Sequence, residues 1–274
     1  MLIGLYGLIH MDYFKDKIIW IIGASSGIGE ELAKALSKKE TYLILSSRNK
    51  TALSHLRLKL HHPERHLELP IDLEESDKFH EAFETIKKKY GGLDLMFNNG
   101  GISQREEAID TDLLIDRKIM EINYFGNIAL TKVVLPYFHN HKKGHIIVTS
   151  SIAGKFGFFQ RSAYSASKHA LHGYYESIAL EGIKHNLTIT MLCPGKINTE
   201  ISTNALHGNG EKHMIMDHNQ ETGMPVERCV QQILKAVSNK KREILIGNKE
   251  IWIVYIKRFF PNLFWKIIQK QKAT

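Results

Sequence analysis

Three residue types that can share one reaction lie close together in the chain: Ser151, Tyr164 and Lys168. A helix through Tyr164 and Lys168 would place both side chains on one face, because residues four apart are neighbours on a helix surface. A partly buried ammonium beside a phenol stabilises phenolate and can supply much of the roughly 4 kcal/mol that brings a tyrosine pKa toward neutrality. Ser151 follows the apolar run 146–148, a predicted strand, so its hydroxyl can donate to a substrate oxygen. Because Tyr-x-x-x-Lys is common on amphipathic helices, the trio needs support from elsewhere.

Length and composition predict one large α/β domain covering residues 1–274. The chain has 274 residues, 43% of them hydrophobic, which is enough for a sizeable core. Cys193 and Cys229 are far apart and lack motif spacing, which favours a reducing compartment and predicts a cytoplasmic protein. Residues 2–9 are apolar but lack the basic region and cleavage site of a signal peptide. No run approaches the roughly 18 apolar residues of a membrane span, so we expect a soluble protein.

The net charge of +8 is concentrated at the carboxyl end. Residues 249–274, here called the tail, carry six basic residues and one acidic residue. Nucleic-acid binding would require a basic face on a recognisable binding fold, and no such motif is present, so we expect no nucleic-acid partner.

A phosphate-binding turn is predicted near the amino end. The apolar run 18–22 leads into Gly23-Ala-Ser-Ser-Gly27-Ile-Gly29, and residues 30–38 have helical periodicity. Strand, glycine turn and helix form the context in which backbone approaches a pyrophosphate closely and a helix N-terminus favours its charge. A merely tight turn is the alternative, which the flanking elements weaken.

The second predicted strand, 42–45, ends in Ser46-Ser47-Arg48-Asn49. In a dinucleotide-binding βαβ unit this is where an acid binds the adenine-ribose 2′-hydroxyl. No acid is present, and Arg48 can bind a 2′-phosphate through charge-assisted hydrogen bonds. A solvated surface arginine is the alternative. The pattern therefore predicts NADP(H) as the preferred cofactor, with NAD as the second choice.

Strands and helices alternate along the rest of the chain. We predict helices over 51–60, 76–90, 125–139, 164–181 and 226–237, and further strands over 67–71, 93–97, 146–149 and 188–192. This alternation predicts a single doubly wound, Rossmann-type parallel sheet with helices on both faces. Each candidate residue then follows a strand, where such sheets bind ligands: the glycine turn, Arg48, Asp72, Asn98, Ser151 and Pro194.

Residues 16–246 resemble the short-chain dehydrogenase/reductase superfamily. The motifs that carry the resemblance stand in the family's order: Gly23-x-x-x-Gly27-Ile28-Gly29, Asn98-Asn99-Gly100, Asn123, Ser151, Tyr164-x-x-x-Lys168 and Pro194-Gly195. The text around Ser151 and Tyr164 is also similar to the branch of the dehydrogenase/reductase member 7-like and 11β-hydroxysteroid dehydrogenase-like enzymes. Ile22 replaces the threonine that often opens the family's glycine motif, and Gly101 replaces the alanine of its Asn-Asn-Ala-Gly motif. Neither residue belongs to the implied catalytic set.

The resemblance implies an NAD(P)-dependent oxidoreductase that interconverts a ketone or aldehyde and an alcohol. Ser151 would polarise the carbonyl oxygen, Tyr164 would donate or accept its proton, Lys168 would lower the tyrosine pKa and bind the nicotinamide ribose, and Asn123 would hold a water beside Lys168. The implied cofactor-binding set is Gly23, Ser25, Ser26, Gly27, Ile28, Gly29, Ser47, Arg48, Asp72, Leu73, Asn98, Gly100, Lys168, Pro194, Gly195, Ile197 and Thr199. A homodimer or homotetramer is expected, as is common in the family.

The substrate is less well specified. Residues 197–224 form a long segment between a predicted strand and helix, and we interpret them as a lid. Phe156, Phe158 and Phe159 are either a pocket wall for an apolar lipid-, steroid- or retinoid-like substrate or ordinary core aromatics. A small carbonyl substrate is the alternative. Three lid histidines, at 207, 213 and 218, lack metal-site spacing, so no metal is expected.

Two other functions remain open. A non-catalytic NADPH-binding regulator would show no turnover of varied ketones. A membrane-surface protein would act through its tail, whose residues 251–272 mix aromatic, apolar and basic side chains. Pro261 divides that stretch into two segments too short to span a bilayer, which suits an interfacial helix pair or a cover over the substrate entrance. We favour packing on protein, either as this cover or against a neighbouring subunit, over lipid contact; liposome flotation discriminates between the protein and lipid alternatives.

Overall fold

A seven-stranded parallel sheet forms the centre of the computed structural model, which describes residues 13–271. The strands are β1 (Ile18–Ile22), β2 (Tyr42–Ser46), β3 (Leu67–Glu68), β4 (Leu95–Asn98), β5 (Gly144–Thr149), β6 (Leu187–Pro194) and β7 (Glu243–Ile246). Their order is β3-β2-β1-β4-β5-β6-β7. Because the order reverses between β1 and β4, a crevice opens at the carboxyl ends there. The predicted doubly wound fold is confirmed.

Helices cover both faces of the sheet. They are α1 (Gly27–Ser37), α2 (Lys50–Lys59), α3 (Phe79–Tyr90), α4 (Leu113–Met120), α5 (Gly126–His141), α6 (Ser162–Glu181), α7 (His218–Glu221), α8 (Val226–Ser238), α9 (Trp252–Phe259) and α10 (Pro261–Ile268). Within β1, Ile19 and Ile21 pack into a core with α1, α2 and α8, whereas Trp20 and Ile22 pack with α3, α5 and α6. Alternate side chains of one strand therefore serve two cores, which explains why the strands are apolar throughout.

Two local features differ from the sequence predictions. The third strand is regular only over Leu67–Glu68, although Leu69 and Ile71 still donate backbone hydrogen bonds to the neighbouring strand segment. Pro70 between them is tolerated because β3 is an edge strand, and the side of the backbone that lacks an N–H faces away from β2. α4 was not predicted; it begins after Asp112, whose carboxylate accepts from the Leu114 amide at 2.8 Å.

The lid, residues 197–224, is folded over the carboxyl ends of the strands. Ile197 pairs with Met224 and Leu206 pairs with Gln104, so both its base and its middle are attached to the body of the protein. Beyond it, the described part of the tail forms α9 and α10, which meet at Pro261 as predicted. No helix in the described range 13–271 is long and apolar enough to cross a bilayer. The interpretation of residues 2–9 concerns a segment outside the described residues.

Candidate active site

The predicted glycine turn folds into a tight cradle after β1. Gly23 and Gly27 have φ values of +75° and +52°, a region that side chains with a Cβ rarely adopt. A Cβ on Gly29 would lie 2.0 Å from the carbonyl oxygen of Gly23, so α1 packs directly against the turn. The α1 N-terminus therefore faces the cleft with little side-chain cover, and the cradle fits a pyrophosphate.

A cleft of about 1630 Å³ runs from this cradle along the strand ends to the tail. Most of the predicted site residues line it: Gly23, Ser25, Ser26, Gly27, Ile28, Ser47, Arg48, Asp72, Leu73, Gly100, Ser151, Tyr164, Lys168, Pro194, Gly195, Ile197 and Thr199. Its size and glycine-lined end suit an extended dinucleotide together with a second small molecule. Gly29, Asn98 and Asn123 lie behind this lining.

The serine, tyrosine and lysine converge on one wall of the cleft. Ser151 caps a short 3₁₀ turn after β5; its hydroxyl accepts from the Ala153 amide and donates to the carbonyl of Pro194 at 3.3 Å. Tyr164 and Lys168 project from the same face of α6, with Lys168 Nζ 5.7 Å from the tyrosine ring centroid. β5 and α6 thus bring together residues that the sequence separates.

Burial controls the acidity of Tyr164. It raises the pKa of the phenol above its ordinary value, and the hydrogen bond with Ser151 opposes that rise, followed by the charges of Arg161 and Arg105. The raised pKa keeps the phenol protonated at neutral pH, so it is ready to donate a proton. The sequence predicts that Lys168 lowers the pKa of this tyrosine. In the structure, the cations that lower the pKa are Arg161 and Arg105.

Lys168 is almost fully buried, and burial lowers the pKa of its ammonium to about 8. Its Nζ donates to the carbonyl oxygen of Thr149 at 2.9 Å, and the Thr149 hydroxyl donates to Asn99 at 3.1 Å. Asn99 in turn donates to the carbonyl of Gly23 at 3.4 Å. A chain of hydrogen bonds therefore connects the lysine to the glycine cradle.

Replacing Lys168 by methionine should stabilise the protein at pH 7 while removing turnover. Below about pH 8 the lysine is protonated in both folded and unfolded states, so the cost of burying its charge is fully present. We expect the free energy of unfolding to rise by roughly 1–3 kcal/mol in Lys168→Met at pH 7, after the lost hydrogen bond is counted. Between about pH 8 and 10.5 the lysine is deprotonated in the folded parent protein but still protonated in the unfolded one. The free energy of unfolding of the parent should therefore rise over this range, and its difference from the variant should shrink.

Denaturant titrations at pH 7 and pH 9.5 measure this difference. Lys88→Met, a change at an exposed position on α3, is the matched control. A stability difference between Lys168→Met and the parent that stays constant over this pH range would contradict the assigned burial cost.

Asn98 and Asn123 do not reach the cleft with their side chains. The Asn98 side chain is buried at the end of the central strand β4, and its amide donates to Asn127, Thr131 and Tyr175 at 3.0–3.2 Å. β4 directs this side chain into the core, where its hydrogen bonds support the strand end, and the predicted contact of Asn98 with the cofactor stays a prediction.

Asn123 lies in a π-helical turn, Glu121–Phe125, between α4 and α5. Its amide bonds both backbone groups of Ile102 and the hydroxyl of Ser167, at 2.8–3.0 Å. The extra residue of the π turn aims Asn123 at α6. Gly101 leaves room for it: a Cβ there would lie 2.9 Å from Asn123 Oδ1. The predicted water beside Lys168 stays a prediction.

A buried ionic cluster that the sequence does not predict lies beside Tyr164. Arg105 contacts Asp217 at 2.6 Å, and both side chains are at most 1% exposed. Arg161, which precedes α6, lies 3.4 Å from the same carboxylate oxygen, and burial with the neighbouring Arg105 lowers its pKa to about 10. Asp217 belongs to the lid, so the cluster attaches the lid beside Tyr164. No spacing pattern joins positions 105, 161 and 217.

Apolar side chains form the far wall of the cleft. Phe156 is 3% exposed and stacks edge-on against Phe264 of α10 at 5.5 Å between ring centroids. Phe158 also lines the cleft and lies under the guanidinium of Arg161, whereas Phe159 is exposed outside it. Two of the three predicted aromatics therefore line the pocket, and the inner face of the tail covers it.

The lid histidines pair with charged neighbours. His213 lies 3.2 Å from His207 and 3.3 Å from Asp217, and His207 lies 3.4 Å from Glu106. Between residues 13 and 271, one group has three metal-ligand side chains close together: His172, Cys193 and Glu243. The ammonium of Lys155 already bridges His172 and Glu243 there.

Comparison with known proteins agrees with this geometry. The short chain dehydrogenase family model matches residues 17–210. The dehydrogenase/reductase SDR family member 7B of Xenopus laevis is 35% identical over 284 residues, which cover 97% of this chain and 87% of that protein. The predicted member 7-like branch is thereby confirmed.

Solved structures share the fold. A short-chain dehydrogenase/reductase from Burkholderia phymatum in complex with NAD has a TM-score of 0.79 at 18% identity and covers 95% of this chain and 97% of that chain. A short-chain dehydrogenase from Burkholderia cenocepacia in complex with NADP has a TM-score of 0.77 at 22% identity and covers 94% and 99%. The chain belongs to the short-chain dehydrogenase/reductase family and is an NAD(P)-binding oxidoreductase that acts on CH–OH groups.

Proposed function

We propose that this protein is an NADP(H)-dependent reductase of an apolar ketone, with Tyr164 as proton donor. The observation that carries the proposal is the convergence of Ser151, Tyr164 and Lys168 between a glycine cradle and an apolar wall in one cleft. A bound nicotinamide dinucleotide supplies or accepts the hydride. The same residues in the opposite protonation states serve alcohol oxidation, and an aldehyde and primary alcohol fit the same chemistry.

The chain's own residues provide proton transfer and polarisation. Ser151 donates to the carbonyl oxygen on which negative charge develops, an oxyanion-stabilising role. Tyr164 passes its proton to that oxygen, and its raised pKa favours the protonated form that reduction needs at neutral pH. Lys168 and Asn123 hold α6 against the strand ends through Thr149 and Ile102, which keeps the tyrosine in place.

NADP(H) is the preferred form of the cofactor in this proposal. Arg48 lines the cleft after β2, its side chain is 56% exposed, and its guanidinium lies 4.0 Å from Glu74, a distance typical of a weak ion pair. It is therefore accessible to a 2′-phosphate. The cradle formed by Gly23, Gly27 and Gly29 would hold the pyrophosphate.

Removing this guanidinium should change cofactor choice. Arg48→Ala should raise the KM for NADPH by roughly 10- to 150-fold, equivalent to 1.5–3 kcal/mol for a lost charge-assisted hydrogen bond, while the KM for NADH changes little. Steady-state kinetics with both cofactors measure this. Lys50→Ala, an exposed cation two residues further on, is the matched control for general charge loss. Equal KM values for NADH and NADPH in the parent protein would contradict the assignment.

The apolar wall supports a substrate with a sizeable hydrophobic part. Phe156, Phe158, Ile253 and Ile256 face the cleft beyond the catalytic tyrosine, and such surfaces select bulky apolar groups. A panel of ketones that differ only in apolar bulk tests this, with NADPH oxidation as the readout. We expect kcat/KM to rise with apolar size, and a flat response would favour the small-carbonyl alternative.

Assembly and location complete the proposal. Small residues on the outer side of α6, Ala166, Ala170 and Gly173, support close helix pairing in a homodimer or homotetramer, whereas Ala163 is buried within the protomer. The two free, buried thiols at Cys193 and Cys229 support a cytoplasmic site of action.

A further inference from the structure

The two tail helices have two different faces. Their inner faces, with Ile253, Ile256, Phe264 and Ile268, pack on the aromatic wall of the cleft. Their outer faces expose large apolar side chains: Trp252, Tyr255, Phe259, Phe260, Leu263 and Trp265, each between 46% and 68% exposed. These six are called the outer face below. They are six of the sixteen exposed large hydrophobic side chains in the described residues, although α9 and α10 have eight residues each. Such concentration marks a binding surface.

The composition of the outer face matches the interfacial zone of a membrane. Tryptophan, tyrosine and phenylalanine combine an apolar ring with a polar or polarisable edge and are favoured at the headgroup level. Trp252, Tyr255 and Phe259 repeat at helical spacing on one side of α9, and the Trp252 and Tyr255 rings lie 5.6 Å apart. Eight-residue helices are too short to span a bilayer, so contact would be along the surface.

The charges around the outer face are of one sign. Arg258, Lys266 and Lys270 are exposed beside it, and the sequence from 251 to 271 contains no acidic residue. Lys257 donates instead to the carbonyl of Lys155 at 2.7 Å, which fixes α9 to the loop after Ser151. Anionic headgroups complement such a surface, because basic residues near a membrane are attracted to its negative surface potential. Pairing this face with a second copy would bring like charges together.

We propose that the outer face of α9 and α10 docks on anionic phospholipid membranes. Docking in this orientation places the cleft mouth at the lipid surface, because Trp252 belongs to both the outer face and the cleft lining. An apolar ketone could then pass from the bilayer to Tyr164 without crossing water. This last step rests on the proposed function, whereas docking itself does not, because vesicle binding is measured without turnover.

Vesicle co-sedimentation with the full chain tests the docking. The probes are phosphatidylcholine vesicles with and without about 30% phosphatidylglycerol, at low and high salt. We expect binding to the anionic vesicles only, weakened by salt. Two variants should each reduce the partition coefficient by about tenfold or more: Trp252→Ser/Phe259→Ser/Phe260→Ser/Trp265→Ser, and Arg258→Glu/Lys266→Glu/Lys270→Glu.

Matched controls remove the same chemistry elsewhere on the surface. Leu58→Ser/Ile109→Ser removes exposed apolar groups, and Lys38→Glu/Lys59→Glu/Lys88→Glu reverses exposed charges. Both should bind as the parent does. Tryptophan fluorescence gives a second readout: Trp20 is fully buried in the sheet, so a blue shift with vesicles must come from Trp252 and Trp265.

Three outcomes would overturn the proposal. One is absence of binding by the parent protein to anionic vesicles. The second is an equal loss in the control variants, which would show a nonspecific effect. The third is a lower oligomeric mass of the serine variant than of the parent by light scattering, which would assign the outer face to a contact between copies. If the parent protein bound anionic vesicles but turned over no ketone, the proposed reaction alone would be contradicted.

Discussion

Tyr164→Phe is expected to reduce kcat by about 10²- to 10⁴-fold with any good substrate, while the dissociation constant for NADPH stays close to the parent value. The phenol is the proposed proton donor; it lines the cleft together with Ser151, and burial raises its pKa. Only the hydroxyl is removed, and the ring retains its packing. The cofactor site, centred on the glycine cradle, is unchanged.

Steady-state turnover and equilibrium cofactor binding should be measured on the same preparation. Tyr174→Phe is the matched control, because this tyrosine lies on the same helix but outside the cleft lining. We expect it to retain parent activity. If Tyr164→Phe kept more than about a tenth of kcat, general acid–base catalysis by this phenol would be wrong.

Asp217→Asn is expected to lower the free energy of unfolding by about 3–5 kcal/mol, the loss typical of removing one partner from a buried ion pair. The carboxylate is fully buried, contacts Arg105 at 2.6 Å and lies 3.4 Å from Arg161. Without its charge, two cations would remain close together inside the protein. The lid should also detach more easily, because Asp217 is the lid residue of this cluster.

Chemical denaturation measures the stability, and limited proteolysis within residues 197–224 measures lid attachment. Glu75→Gln is the matched control: its ion pair with Lys78 is 2.7 Å long but exposed, so its loss should lower the free energy of unfolding far less. Similar losses in both variants, or a lid cleaved at the parent rate in Asp217→Asn, would show that the cluster does not anchor the lid.

The arginines of this cluster also change the pKa of Tyr164. Both oppose the rise in the Tyr164 pKa that burial causes, and Asp217 partly neutralises them. The position of the lid is therefore linked to the acidity of the tyrosine. The cations that lower the pKa of this phenol are therefore Arg161 and Arg105, whereas Lys168, 5.7 Å from the ring centroid, donates to the carbonyl of Thr149.

The sequence by itself determined the parallel sheet and which residues line the crevice at its carboxyl end. Strand and helix periodicities are local, and parallel strands bring their carboxyl ends to one edge, so the glycine turn, Arg48 and Ser151 had to lie along one crevice. The spacing of Tyr164 and Lys168 likewise placed both on one face of α6. These positions follow from backbone geometry, which short stretches of sequence already specify.

Only the tertiary structure decided the parts that depend on contacts between distant segments. Arg105, Arg161 and Asp217 come from three loops with no shared pattern, and their burial together requires all three loops to be folded. The π turn directs Asn123 toward Ser167 of α6, and β4 directs Asn98 into the core. Side-chain direction at such irregular points depends on packing, which no local periodicity encodes.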